Sequence, residues 1–209
     1  MMFFKMFFKN NQKKKRRKEM CKKLKQIHDL KANDILHNYR LQRASHEYIN
    51  ITDVLDFLEI DYNVINFEEL EKSLFLKGND DILGMACSEG DEVRILYSDT
   101  LDAKDTNYVL AHELAHCCLH LPVSAEFHVE LKVKNDIYSS FLSKPLKNNR
   151  IAKKENEADL FAADLLIPTD LFVEYLNKAE SFSVKDISNH FNVPELLVHK
   201  KIAKLANRY

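Results

Sequence analysis

The residues with the clearest chemical potential are His112, Glu113, His116 and His120, all within the run Val109 to Leu121, VLAHELAHCCLHL. On an α-helix turning about 100° per residue, these four fall within a sector of roughly 100°. The rest of the run is apolar or cysteine, which predicts a buried helix whose polar groups need partners. A zinc ion would satisfy them. Histidines four apart stand one turn above each other and can reach one ion, while Glu113 can face a metal-bound water. The bland alternative is a surface helix with incidental histidines, because three fixed positions in five also arise by chance.

A catalytic zinc takes three protein ligands, so His112 and His116 need a third. His120 lies about 12 Å along the helix axis from His112, too far to share an ion bound at about 2 Å, and reads as a cleft residue, a supporting residue or a polar helix end. The acidic candidates stand on a later helix: Glu155, Glu157, Asp159 and Asp164. Glu157 is preferred, beside Phe161 and Asp164 at the margin of an apolar stripe, with Ala158 and Ala162 permitting close helix approach; Glu155 is read as pointing elsewhere. Zinc would polarise a carbonyl and acidify its water, with Glu113 as the base.

These groups have to be positioned by a suitable frame. The 209 residues, 45% of them hydrophobic, can bury one sizeable core, and only three glycines and four prolines disfavour large sandwiches or barrels. The expectation is a helix-rich α+β domain over 28–209, with a core at 51–168 and a helical region at 169–209. The pattern predicts a helix from Met20 to about Ala44, a short helix capped at Asn50 or Thr52, and a strand over Tyr62 to Phe67. A hairpin follows over Ile82 to Cys87 and Glu92 to Ser98, then the motif helix from near Asp102 or Lys104. Val123 to Arg150 has no readable pattern. Helices resume at about Ile151, Asp170 and Val184, and Pro194 opens a last one reaching Ala206.

The net charge of −1 conceals an asymmetry. Residues 1–27 carry eleven Lys or Arg against one Glu, leaving −11 on residues 28–209. That basic extension reads as a flexible, solvated tail, with nucleic acid or an anionic membrane as the less favoured partner. There is no spanning segment. Cys21, Cys87, Cys117 and Cys118 show no CxxC spacing and read as reduced thiols of a cytoplasmic protein.

At Ala111-His112-Glu113-Leu114-Ala115-His116 and at Glu155-Asn156-Glu157-Ala158-Asp159-Leu160-Phe161-Ala162-Ala163-Asp164-Leu165-Leu166-Ile167-Pro168 the chain resembles the ImmA/IrrE family of metallopeptidases. The resemblance covers roughly Ile51 to Ala206. It implies a zincin-like core with a C-terminal helix-turn-helix-like piece, Zn2+ held by His112, His116 and Glu157, and Glu113 as the catalytic base. It also implies a site-specific endopeptidase acting on a helix-turn-helix transcriptional repressor. The chain departs from the family pattern in three places: Ala115 replaces a commoner glycine, Lys104 to Tyr108 lacks the usual residues, and the step from His116 to Glu157 is long, suggesting an inserted flap between Pro122 and Arg150.

Two other readings compete with this one. One is a toxin-like protease with a different protein substrate. The other is a non-catalytic DNA-binding regulator that would use the basic tail and Lys200, Lys201, Lys204 and Arg208 after Pro194. Against it, the helix start offers Glu195, Leu196 and Leu197 where bases would be read, so packing or substrate docking is the favoured role of this piece. Tyr108, His120 and His128 are the candidates to stabilise an oxyanion.

Overall fold

The computed structural model describes residues 23–42, 48–67, 82–89, 92–122, 127–133, 149–179 and 181–207. The elements in order are α1 (Lys23–Ile27), α2 (Ala32–Gln42), α3 (Ile51–Phe57), β1 (Asp61–Ile65), β2 (Ile82–Glu89), β3 (Glu92–Ser98), α4 (Ala103–Leu119), β4 (Phe127–Val133), α5 (Asn149–Leu166), α6 (Thr169–Lys178), α7 (Val184–Phe191) and α8 (Glu195–Ala206). This is the helix-rich α+β architecture expected from the scarcity of turn residues. The basic tail before Lys23 lies outside the described residues, as do most of the 122–150 stretch and Arg208.

The sheet has four strands in the order β1-β3-β2-β4, with β1 parallel to β3 and the other pairs antiparallel. The β2–β3 pair is the hairpin that the apolar runs around Ser88 to Asp91 predict, in register from Gly84 opposite Tyr97 to Glu89 opposite Glu92. Two local expectations change. The helix anticipated over Met20 to Ala44 is broken after Ile27, where Asp29 adopts a positive φ of 66° and its backbone N–H donates to the Cys118 carbonyl at 2.8 Å. That contact gives the end of α4 one of the partners its last carbonyls lack. β4, inside the stretch with no readable pattern, is paired to β2.

Helix α4 runs through the middle of the molecule. Asp102 caps it by accepting the Asp105 N–H, and every residue from Asn107 to Cys118 is buried. Asn107 fastens its start: its Oδ1 accepts the Ile51 N–H at 3.0 Å and its Nδ2 donates to the Asn192 carbonyl at 3.1 Å. One continuous apolar cluster, from Ile27 through Ile95, Leu110, Leu114, Ala162 and Leu166 to Val198, surrounds the helix. Burial pushes the Cys87 and Cys118 thiols up to about 12 and raises Cys117 as well, so these cysteines are core filler rather than reactive groups.

Of the C-terminal helices, α8 packs onto α5 and α7 packs onto α8. Ser183 and Asp186 form a capping box at the start of α7, and Asn192 turns the chain at a φ of 52° into α8. The lysines that a nucleic-acid reading requires of α8 face inward. Lys201, 1% exposed, donates to Asp164 and to Thr169 Oγ1, both at 2.9 Å, and Lys204 Nζ meets Asp164 Oδ2 at 2.5 Å. Burial works to raise the Asp164 carboxyl, but hydrogen bonds and charge from Lys204 and Lys201 outweigh it and hold the group below its ordinary value.

A carboxylate with a lowered folded pKa stabilises the fold fully above its unfolded value of about 3.8, and the gain is lost as pH falls through the lowered folded value. Asp164→Asn takes the matching charge from the buried Lys201 ammonium, so it should cost about 3 kcal/mol at pH 7. The gap to wild type should shrink on acidification below pH 4, as read by denaturant midpoints over that range.

Candidate metal centre

The HExxH spacing puts His112 and His116 one turn apart on the buried stretch of α4, both fully buried. Their Nε2 atoms are 3.0 Å apart. From α5, Glu155 brings Oε2 to 3.2 Å from His112 Nε2 and Oε1 to 3.3 Å from His116 Nε2, with its side chain 12% exposed. Around a tetrahedral ion with bonds of about 2.0–2.1 Å, donor atoms lie about 3.3 Å from each other. The 3.0 Å between the two nitrogens is close to such an edge, each Glu155 oxygen lies about as far from one of those nitrogens, and the three side chains form a group able to hold a metal ion. Burial pushes the His116 imidazole down to about 4 against the pull of Glu155, so at neutral pH it is an uncharged potential ligand.

Glu155, rather than the expected Glu157, is the α5 carboxylate that stands beside both histidines. On the helical wheel of α5, the buried Ala158, Asp159, Ala162, Leu165 and Leu166 all lie within about 80° of Glu155, whereas Glu157 is about 160° away. Phe161, on whose side Glu157 lies, stands at the flank of the stripe and not at its centre. Glu157 is 45% exposed and accepts at 3.2 Å from His120 Nε2.

The second nitrogen of each histidine is also engaged. His112 Nδ1 donates to Asp159 Oδ1 at 2.8 Å, which leaves the Nε2 lone pair for a metal. Asp159 also accepts the Tyr108 hydroxyl at 2.5 Å and is 1% exposed. His116 Nδ1 faces His120 Nδ1 at 2.9 Å, so His120 supports a candidate ligand, as its axial distance from His112 implies. Asp159 was legible only as one of four acidic candidates. Its place four residues after Glu155, on the same face, is the signal that pairs a candidate ligand with a candidate support. Of the oxyanion candidates, Tyr108 is 1% exposed and bound to Asp159, and burial with that carboxylate raises its pKa well above the ordinary value. The side chain of His128, on β4, lies outside the described residues.

Glu113 is fully buried between α4 and the sheet. A Cβ built on Gly84 of β2 would lie 2.7 Å from Glu113 Oε1 and 2.6 Å from Val109 Cγ1. The pairing of β2 with β4 slips between Ile82 and Gly84, an irregularity of the kind that re-aims backbone beside functional sites. Glycine at 84 is thus what lets the strand pass beside the Glu113 carboxylate.

Two histidines one turn apart on a buried helix, facing a glutamate from a second helix, make a site of the class used by hydrolytic metalloproteins. The family model Peptidase_M78, the IrrE N-terminal-like domain, matches residues 78–203, and the chain belongs to this family of metallopeptidases. It is similar to Metallopeptidase ImmA of Bacillus subtilis (strain 168), 32% identical over 100 residues that cover 48% of this chain and 50% of that protein. The chain therefore aligns with about half the length of this curated relative. No solved structure matches the chain.

Gly84→Ala should lower stability by about 1–3 kcal/mol through overpacking, because the new methyl meets Glu113 and Val109 together. Chemical denaturation of wild type and variant measures this. The larger Gly84→Val should cost more.

Proposed function

We propose that the protein is a zinc-dependent endopeptidase with His112, His116 and Glu155 as metal ligands and Glu113 as general base. The observation that carries this reading is the convergence of the Glu155 carboxylate on both imidazole Nε2 atoms at 3.2 and 3.3 Å. Zinc suits two nitrogens and one carboxylate oxygen in tetrahedral array, and when bound supplies the positive charge that polarises a carbonyl and acidifies water. The remaining chemistry belongs to the chain. Asp159 fixes the tautomer and ring angle of His112, and His120 does the same for His116. Glu113, one residue after the first histidine, takes a proton from the attacking water and returns it to the departing amine. The buried surroundings of Glu113 exclude bulk water from that transfer.

The substrate in this reading is a protein, and a helix-turn-helix transcriptional repressor is the candidate suggested by the resemblance to the ImmA/IrrE family. A cytoplasmic location belongs to the same reading, supported by the buried free thiols Cys87, Cys117 and Cys118. Among the described residues, no helix is long and apolar enough to cross a membrane. DNA binding by α8 finds no support in the inward-facing Lys201 and Lys204.

Glu113→Gln should keep bound zinc yet lower cleavage of a co-expressed repressor at least about 100-fold. His116→Ala and Glu155→Gln should lose zinc together with activity. Metal analysis of purified variants beside a cleavage assay distinguishes these outcomes, and wild-type cleavage by Glu113→Gln would remove Glu113 from the mechanism.

A further inference from the structure

Asp159 has two oxygens and uses them in different directions. Oδ1 meets the Tyr108 hydroxyl at 2.5 Å and His112 Nδ1 at 2.8 Å. Oδ2 is ion-paired with the ammonium of Lys200, which arrives from α8 with a side chain only 10% exposed. A carboxylate that serves two donors through one oxygen is held in a single orientation only if its other oxygen is anchored too. Lys200 supplies that anchor. A charged hydrogen bond in these buried surroundings is stronger and more directional than a neutral one.

We propose that Lys200 is a positioning residue of the metal centre: from α8 it fixes Asp159, which in turn fixes the ring of His112. The C-terminal helices thereby become part of the site. They are also tied to the helix that carries the histidines, because Lys104 near the start of α4 donates to Ser188 Oγ at 2.8 Å and to Asn189 Oδ1 at 2.6 Å on α7. The inference rests on the metal-centre reading above. Helix α8 also supplies a control, since Lys204 contacts Asp164 instead of Asp159.

The test measures zinc affinity of the full chain by chelator competition, together with the absorption spectrum of the cobalt(II)-substituted protein. Circular dichroism in chelator checks that each variant folds. Lys200→Met should weaken zinc binding about 10-fold or more and change the cobalt spectrum. Lys200→Arg should restore most of the affinity, and Lys204→Met should stay within about twofold of wild type. With Asp159→Asn already present, adding Lys200→Met should change affinity by less than about twofold, because the anchor acts through that carboxylate.

Wild-type affinity and spectrum in a folded Lys200→Met protein would overturn the proposal. So would an equal loss in Lys204→Met, which would mark a general effect of packing. If Lys200→Met alone does not fold, the comparison of Asp159→Asn with the double variant decides, and a further 10-fold loss there would contradict the proposal. His116→Ala separates the two levels of inference: if it binds zinc as wild type does, the metal-centre reading itself fails, whatever Lys200 does.

Discussion

The structure depends on keeping two imidazoles and a carboxylate together inside an apolar core. Polar groups buried there are costly unless each donor and acceptor is met. His112 and His116 meet Glu155 on one side, and on the other they meet Asp159 and His120. Each of those supports has a further partner, Lys200 for Asp159 and Glu157 for His120. The polar groups form a connected network from the centre of α4 to half-exposed side chains, and such a network fixes one arrangement of helices in a way apolar packing alone does not.

Much of the surrounding architecture follows from that requirement. Helices α4 and α5 must approach closely enough for Glu155 to reach two histidines, and the fully buried Ala158 and Ala162 leave the room. The sheet must pass beside Glu113, and Gly84 allows it. Helix α8 must cover α5, and it does so with lysines whose charges are matched by Asp159 and Asp164. The α8 lysines Lys200, Lys201 and Lys204, on which a nucleic-acid reading would rest, lie on the inner surface of a packed helix. Its long side chains bury their stems and carry their ammonium groups to carboxylates.

The sequence is most legible where local pattern and burial agree. The HExxH run, the cap at Asn50, the helix starts near Asp102 and Val184, and the hairpin are each readable from neighbouring residues, because the interactions that form them are local. β4 was not, since its strand character comes from pairing with β2 some 40 residues earlier. The break at Asp29 depends on the end of α4, at Cys118, which is still more remote in sequence. In the site, the two histidines could be read from spacing, but the choice between Glu155 and Glu157 required locating the centre of a stripe that spreads over more than half of the helix. The inward turn of the α8 lysines carries no local signal, because lysine on a helix ordinarily faces water.

The carboxylate that completes the centre decides which helix supplies the third ligand. A structure of the zinc-loaded protein measures it. The arrangement of α4 and α5 predicts zinc bound by His112 Nε2, His116 Nε2 and a Glu155 oxygen, each at about 2.0–2.2 Å. Zinc bound to Glu157 or another carboxylate, with Glu155 turned away, would contradict the account.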